Sequence, residues 1–141
     1  MDTKDFIFMR EALNLARVAY GQGEVPVGAV IVKDGEIIGR GYNQVEVLKS
    51  PLKHAEIIAI EEAIKRLGAW RLTGSTLYVT LEPCPMCAGA IKNARIDRVL
   101  VGARDLKNGA CGSYYDIIPA EFGILEDEAE DLLKSFFKEL R

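Results

Sequence analysis

The sequence predicts an α/β layer fold: a mixed sheet with an antiparallel opening hairpin and helices on its faces. Three observations carry that expectation. Residues 27–33 and 36–42 are two strand-like runs, the first almost wholly apolar, joined by Asp34-Gly35, a two-residue hairpin turn. Residues 76–103 then read strand, helix, strand, the order that favours a parallel pair joined by a right-handed crossover. Near both ends of the chain, apolar side chains recur at helical spacing.

Taken in order, Phe6, Met9, Leu13, Ala16 and Tyr20 place one apolar stripe on a first helix, capped by Asp2 or Thr3 and ended by Gly21 or Gly23. The hairpin strands follow. Over 54–67, Ile57, Ile60, Ile64 and Leu67 keep helical spacing, with Glu61–Lys65 and Glu62–Arg66 as i,i+4 pairs and Gly68 as the terminating glycine. This second helix starts at the histidine. Residues 76–81 are a strand by residue type, and Pro85 stands where a first helical position tolerates its missing N–H, opening a short third helix over 84–94. Residues 98–103 form a fourth strand, 108–112 a tight Gly-rich loop, and 114–118 a short fifth strand. Ala129, Leu132, Leu133, Phe136, Phe137 and Leu140 complete an i, i+3, i+4 pattern, so the chain ends in an amphipathic helix.

Composition narrows the class. The 141 residues make one expected domain, 1–141, and 49% hydrophobic residues close a core without disulfides. Three cysteines are an odd number, and two of them sit three residues apart, which reads as intracellular metal or redox chemistry. Any site that needs imidazole must use His54, the single histidine. The longest run free of charge, Leu72 to Leu81, is ten residues, so no segment spans a bilayer, and the acidic start Met1-Asp2-Thr3-Lys4-Asp5 is no secretory signal. No membrane partner and a cytoplasmic location are expected. The net charge of −3 divides along the chain. Residues 121–141 carry 3 basic and 7 acidic side chains, most of them in the block 126–131, read as the first turn and solvated face of the last helix. Lys92, Arg95, Arg98, Arg104 and Lys107 against Asp97 and Asp105 leave a local excess of +3 over 85–107.

Two motifs carry chemistry: His54-Ala55-Glu56 and Pro83-Cys84-Pro85-Met86-Cys87. Each is weak alone. Together they offer one imidazole and two thiolates at the starts of two helices, where the positive dipole end lowers a thiol's pKa. His54 and Glu56 stand about 200° apart around a helix axis, so they converge on one ion only if it lies off the helix end. Three such ligands suit Zn²⁺ with one position left for water, and Glu56 is the carboxylate placed to shuttle protons. Two other readings use the same residues. Cys111 as a fourth ligand would close a structural Cys₃His site, and Cys84 with Cys87 could form a redox dithiol that has no need of His54. Otherwise Cys111 is a small, partly buried thiol.

The pairing of His-x-Glu with Pro-Cys-x-x-Cys is the signature of zinc-dependent nucleobase deaminases. The sequence resembles the bacterial tRNA-specific adenosine deaminases, within the cytidine deaminase-like superfamily. The likeness covers most of the chain: residues 24–32 and Gly41-Tyr42-Asn43, then His54-Ala55-Glu56, then the run from Thr76 to Ala90, then Gly102-Ala103-Arg104-Asp105 and the Gly112-Ser113 turn. The resemblance implies a three-layer α-β-α fold, a five-stranded mixed sheet with helices on both faces, and one Zn²⁺ per subunit held by His54, Cys84 and Cys87. Glu56 would be the general acid/base, Asn43 would bond the purine ring, Pro26 and Val27 would line the pocket, and Asp105 would contact the RNA backbone. The implied activity is hydrolytic deamination of adenosine to inosine at the wobble position of a tRNA anticodon loop, releasing ammonia, by a homodimer whose active sites use both subunits. Two segments depart from the family. Ser50-Pro51-Leu52-Lys53 stands where Asp-Pro-Thr-Ala is usual, and residues 114–122 run almost directly into the last helix where members carry an Asn-His-Arg loop. The shorter connection keeps free bases or nucleosides (guanine, cytosine or cytidine) as an alternative substrate class. A zinc-stabilised RNA-binding module without catalysis is the reading from a different class.

Overall fold

The computed structural model describes residues 1–140. Its elements are α1 (Thr3–Gly21), β1 (Gly28–Lys33), β2 (Glu36–Tyr42), α2 (Ala55–Leu67), β3 (Ser75–Leu81), α3 (Pro85–Asn93), β4 (Arg98–Ala103), β5 (Glu121–Phe122) and α4 (Glu126–Glu139). The five strands form one sheet in the order β2-β1-β3-β4-β5. β1 runs antiparallel to both β2 and β3, while β3–β4 and β4–β5 are parallel. All strands but β1 therefore point the same way.

Strand alternation divides the core in two. Ala29, Ile31, Leu77, Val79, Val99 and Val101 face one side and pack with Ala59 and Ile60 of α2 and Ala88 and Ile91 of α3. Val30, Val32, Tyr78 and Leu100 face the other, against Met9 and Ala12 of α1. Leu13, Ala103 and Ala129 bring α4 onto that second side. The expected mixed sheet with helices on both faces is thus present. Glycine sets how closely the helices approach: a Cβ on Gly28 would overlap the Ala12 carbonyl of α1, and one on Gly41 would overlap the Ala55 carbonyl at the start of α2. This close seating is why α2 buries Ala55, Ala59 and Ala63 while Ile57 and Ile64 are only half-buried and Leu67 is exposed.

Local chemistry accounts for most boundaries. Asp34 and Gly35 both take positive φ, 51° and 78°, the conformation a two-residue hairpin turn needs. Gly68 closes α2 in the left-handed region at φ 67°. Asp2 caps α1 through a capping box with Asp5. Several expectations are corrected. Residues 114–118 are not a strand: the N–H groups of Tyr114 and Tyr115 go to the Gly109 carbonyl and those of Ile117 and Ile118 to Ala110, leaving only an isolated Cys111–Asp116 bridge. The fifth strand is Glu121–Phe122 instead. Phe6 is exposed, and the side of α1 that faces the sheet carries Asp5. The i,i+4 pairs on α2 do not form. Glu61 takes Lys53, Glu62 accepts the Arg40 N–H, and Arg66 reaches Glu36 and the Ile37 carbonyl, because the preceding loop and β2 lie within their reach. No described helix is long and apolar enough to cross a membrane.

Asp5 is the buried charge that ties α1 to the sheet. It accepts from Tyr78 Oη at 2.6 Å and from both Arg98 guanidinium nitrogens at 3.2 and 3.1 Å, and Arg98 also pairs with Glu121 of β5. Burial alone would raise its pKa, but the hydrogen bonds from Tyr78 and Arg98 outweigh it and hold Asp5 below the ordinary 3.8. A depressed folded pKa means that the stability contributed is complete above the unfolded value and lost as pH falls through the folded one. Asp5→Asn is expected to cost about 2 kcal/mol at pH 7 in denaturant unfolding. Its deficit against the wild type should shrink below pH 3.8. A deficit that persisted unchanged at pH 3 would contradict the charge-based account.

Candidate active site

Because β2, β3 and β4 share a direction, their carboxyl ends and the amino end of β1 meet at one edge of the sheet. Open α/β sheets bind ligands at such an edge. A cavity of about 610 Å³ lies there, walled by Val27, Asn43, His54, Glu56, Cys84 and Asp105 among others. Sequence reasoning singled out all six of these residues.

His54 and Cys84 occupy equivalent positions, the N-caps of α2 and α3. An N-cap side chain ordinarily turns back to the helix's own amides. Neither does so here. On α2 the duty passes to Asn43, whose Oδ1 accepts the Ala55 N–H at 2.8 Å. On α3 it is reduced, because Pro85 fills the first helical position and has no N–H to satisfy. Both N-cap side chains are thereby free to face each other. His54 Nδ1 stands 3.6 Å from Cys84 Sγ and 3.5 Å from Cys87 Sγ. All three donor atoms lie within 4.8 Å of one another. A tetrahedral ion with bonds of about 2.0 Å to nitrogen and about 2.3 Å to sulfur separates neighbouring donors by roughly 3.6 Å, so both nitrogen–sulfur separations match zinc. Cys111 does not belong to the cluster; it lies in the core between sheet and helices, where burial pushes its thiol up to about 12. Among the described residues the site offers three protein donors, which leaves a tetrahedral ion one open position.

Charge inside the cluster is unevenly shared. A hydrogen bond from the Cys87 thiol, aided by the His54 ring, overcomes burial and holds Cys84 at about 4, whereas the same bond and burial push Cys87 up. The hydrogen bond to Cys84 raises His54 in turn. Glu56, in the first turn of α2, is buried at 4% exposure and still reaches the cavity wall. Burial is the main cause that pushes its carboxyl up to about 7, opposed by its own backbone N–H and aided by the Cys84 charge.

The remaining site residues divide. Asn43 lines the cavity with its amide fixed by the bond to Ala55, so Oδ1 is committed and the two Nδ2 hydrogens are left to donate. Val27 lines the wall, but Pro26 is buried away from it, and Val25 takes its place in the lining. Asp105 is at the wall, where its Oδ1 accepts the N–H groups of Lys107 and Asn108 and shapes a turn. The basic excess over 85–107 is smaller than its count, since Arg98 is spent on Asp5 and Glu121, and Arg104 lies over the Phe122 ring at 3.8 Å. Among the wall residues that the sequence did not mark as functional are two carboxylates: Glu24, which accepts the N–H groups of Glu46 and Val47, and Glu82, which accepts those of Asp105, Cys111 and Ser113. Both lie inside runs that carry the family likeness, residues 24–32 and 76–90, and that is the signal that could have marked them.

A family model described as "Cytidine and deoxycytidylate deaminase zinc-binding region" matches residues 2–103. The chain is 47% identical over 148 residues to the tRNA-specific adenosine deaminase of Bacillus subtilis (strain 168), covering 99% of this chain and 92% of that protein. It is 48% identical over 143 residues to the tRNA-specific adenosine deaminase of Aquifex aeolicus (strain VF5), covering 95% and 94%. A solved structure from work on A-to-I editing by tRNA:A34 deaminases at the wobble position of transfer RNA superposes with a TM-score of 0.84 at 43% identity, covering 90% of this chain and 99% of that one. Zinc analysis of purified variants tests the donor set. Cys87→Ser is expected to lose most of the metal, and Cys111→Ser to keep about one zinc per chain. Loss of zinc from Cys111→Ser with a preserved fold would restore the closed four-ligand site.

Proposed function

We propose, on the premise that this chain belongs to the tRNA-specific adenosine deaminases of the cytidine deaminase family, that it hydrolyses the wobble adenosine of a tRNA anticodon to inosine and ammonia. The observation that carries the reading is the three-donor cluster opening, together with the buried carboxyl of Glu56, onto one cavity. His54, Cys84 and Cys87 would hold zinc, which supplies Lewis acidity that brings the pKa of a water down to about 7. Glu56 takes a proton from the water that adds to C6 of the adenine. It delivers that proton to the adjacent ring nitrogen, then takes the remaining proton from the hydroxyl on C6 and delivers it to the amine, so that the C6–N bond breaks as a C6 carbonyl forms and ammonia leaves. Asn43, its oxygen held by Ala55, donates from Nδ2 to a purine ring nitrogen, and Val27 supplies apolar wall. Asp105 at the rim faces the RNA backbone. A base in an anticodon loop is already poorly stacked, so extruding it into the cavity costs least there.

A homodimer belongs to the same reading. Leu106, Tyr114, Tyr115 and Ile117 are exposed on the segment that follows Asp105, with the two tyrosine rings 4.7 Å apart, side chains that a second copy would cover. So does a cytoplasmic location, where thiols stay reduced.

The test is inosine formation in an anticodon stem-loop RNA bearing adenosine at the wobble position. The wild type is expected to convert it and to leave guanine, cytosine and cytidine untouched. Zinc-loaded Glu56→Gln should be slower by about 10²- to 10⁴-fold. Ammonia release only from the free bases or nucleosides would establish the alternative substrate class, and full activity of folded Glu56→Gln would remove Glu56 from the chemistry.

A further inference from the structure

We infer that Glu82 is a positioning residue: its carboxylate is the template around which the 105–113 loop folds, and it thereby sets the wall that receives the RNA backbone. The inference rests on the deaminase reading above and adds to it a residue whose effect falls on substrate binding.

Glu82 follows β3 and is 2% exposed, yet among the described residues no Lys, Arg or His pairs with it. A buried carboxylate without a counter-ion persists only where hydrogen bonds replace its hydration. Here three backbone amides do so: Asp105 N donates to Oε1 at 3.1 Å, and Cys111 N and Ser113 N donate to Oε2 at 2.9 and 3.2 Å. The donors come from both ends of one loop, which therefore closes on the carboxylate from two sides. A second observation is independent of those bonds. A Cβ on Gly109, in the middle of the loop, would overlap the Glu82 carboxylate and the Asp105 carbonyl. The loop thus passes over Glu82 at a separation that only glycine permits. Two further bonds, Gly109 N to Asp105 O and Ala110 N to Pro83 O, both 2.8 Å, hold the same wrap.

What the wrap presents to the cavity is Asp105 and Asn108, and what it presents to solvent is Lys107. Backbone contacts position a nucleic acid and depend on such groups standing in place before it arrives. The zinc donors and Glu56 are set by α2 and α3, whose caps do not involve Glu82. Releasing the loop is therefore expected to weaken RNA binding and to spare turnover.

Steady-state kinetics on the anticodon stem-loop, with zinc content measured alongside, tests this on the whole protein. Glu82→Gln keeps the side chain's shape but offers the three amides a single acceptor oxygen; Gly109→Ala keeps the carboxylate and pushes the loop off it. Both are expected to raise KM about tenfold, the cost of ordering a freed loop, with kcat within about threefold and zinc retained. A fall in kcat at unchanged KM, or no change in either constant, overturns the inference. Wild-type amide exchange keeps it falsifiable should a variant not fold: Cys111 and Ser113 amides are expected to be as protected as those of β4, and exchange at open-loop rates overturns it. A wild type that forms no inosine would remove the deaminase reading and this inference with it, whereas an active wild type with unmoved variants removes this inference alone.

Discussion

The polarity of the sheet is the constraint on which the site depends. With β1 reversed between β2 and β3, the chain leaves β2, β3 and β4 at one edge and enters β1 from that same edge. Two of those exits run into helices, α2 and α3, so two positive helix ends converge where Asn43, Val27 and Asp105 also arrive. What makes the convergence chemical is that the N-cap residues, His54 and Cys84, are each excused from capping. Asn43 caps α2 from outside, and Pro85 removes the amide that α3 would otherwise need to satisfy. Free side chains at two facing helix starts, with Cys87 one turn along, are then within coordinating distance of one another.

Four buried carboxylates show how the same residue type takes different tasks from its surroundings. Asp5 meets a tyrosine and an arginine and becomes a structural anion. Glu24 and Glu82 meet backbone amides and tie loop segments to the cavity wall. Glu56 has little beyond its own backbone N–H to offset burial, and its carboxyl is pushed up to about 7 where those of Asp5 and Glu82 are held below the ordinary carboxylate range. A carboxyl that neither pairs with a cation nor ties down a loop is the one to which the proposed deamination assigns proton transfer.

Much of this was legible in the sequence where a local rule suffices. The strands Glu36–Tyr42 and Arg98–Ala103, the Asp34-Gly35 turn and the Gly68 stop follow from residue type and turn chemistry within a few positions. The donor set was legible because its residues are scarce: one histidine, and two cysteines at helical spacing. What failed depended on pairings that residue type and period do not specify. Residues 114–118 have strand-forming side chains, but the Gly109 and Ala110 carbonyls had already claimed their amides. The fifth strand is two residues between Pro119 and Gly123, too short to show a period. Pro26 and Val27 are neighbours on an extended segment, so if one faces the cavity the other faces away, and nothing in the sequence says which. The alanine face of α2 is dictated by glycines on β2, a match visible only when the two lie together.

The proposed chemistry requires a metal centre with three protein donors and an open fourth position beside Glu56. X-ray absorption at the zinc edge of the purified protein tests it most directly, because the shell of scatterers counts sulfur against lighter donors without reference to any substrate. Two sulfur scatterers at about 2.3 Å, one histidine nitrogen at about 2.0 Å and one further light donor from solvent are expected. A shell of three sulfurs and one nitrogen would mean that Cys111 closes the site, and would contradict that chemistry.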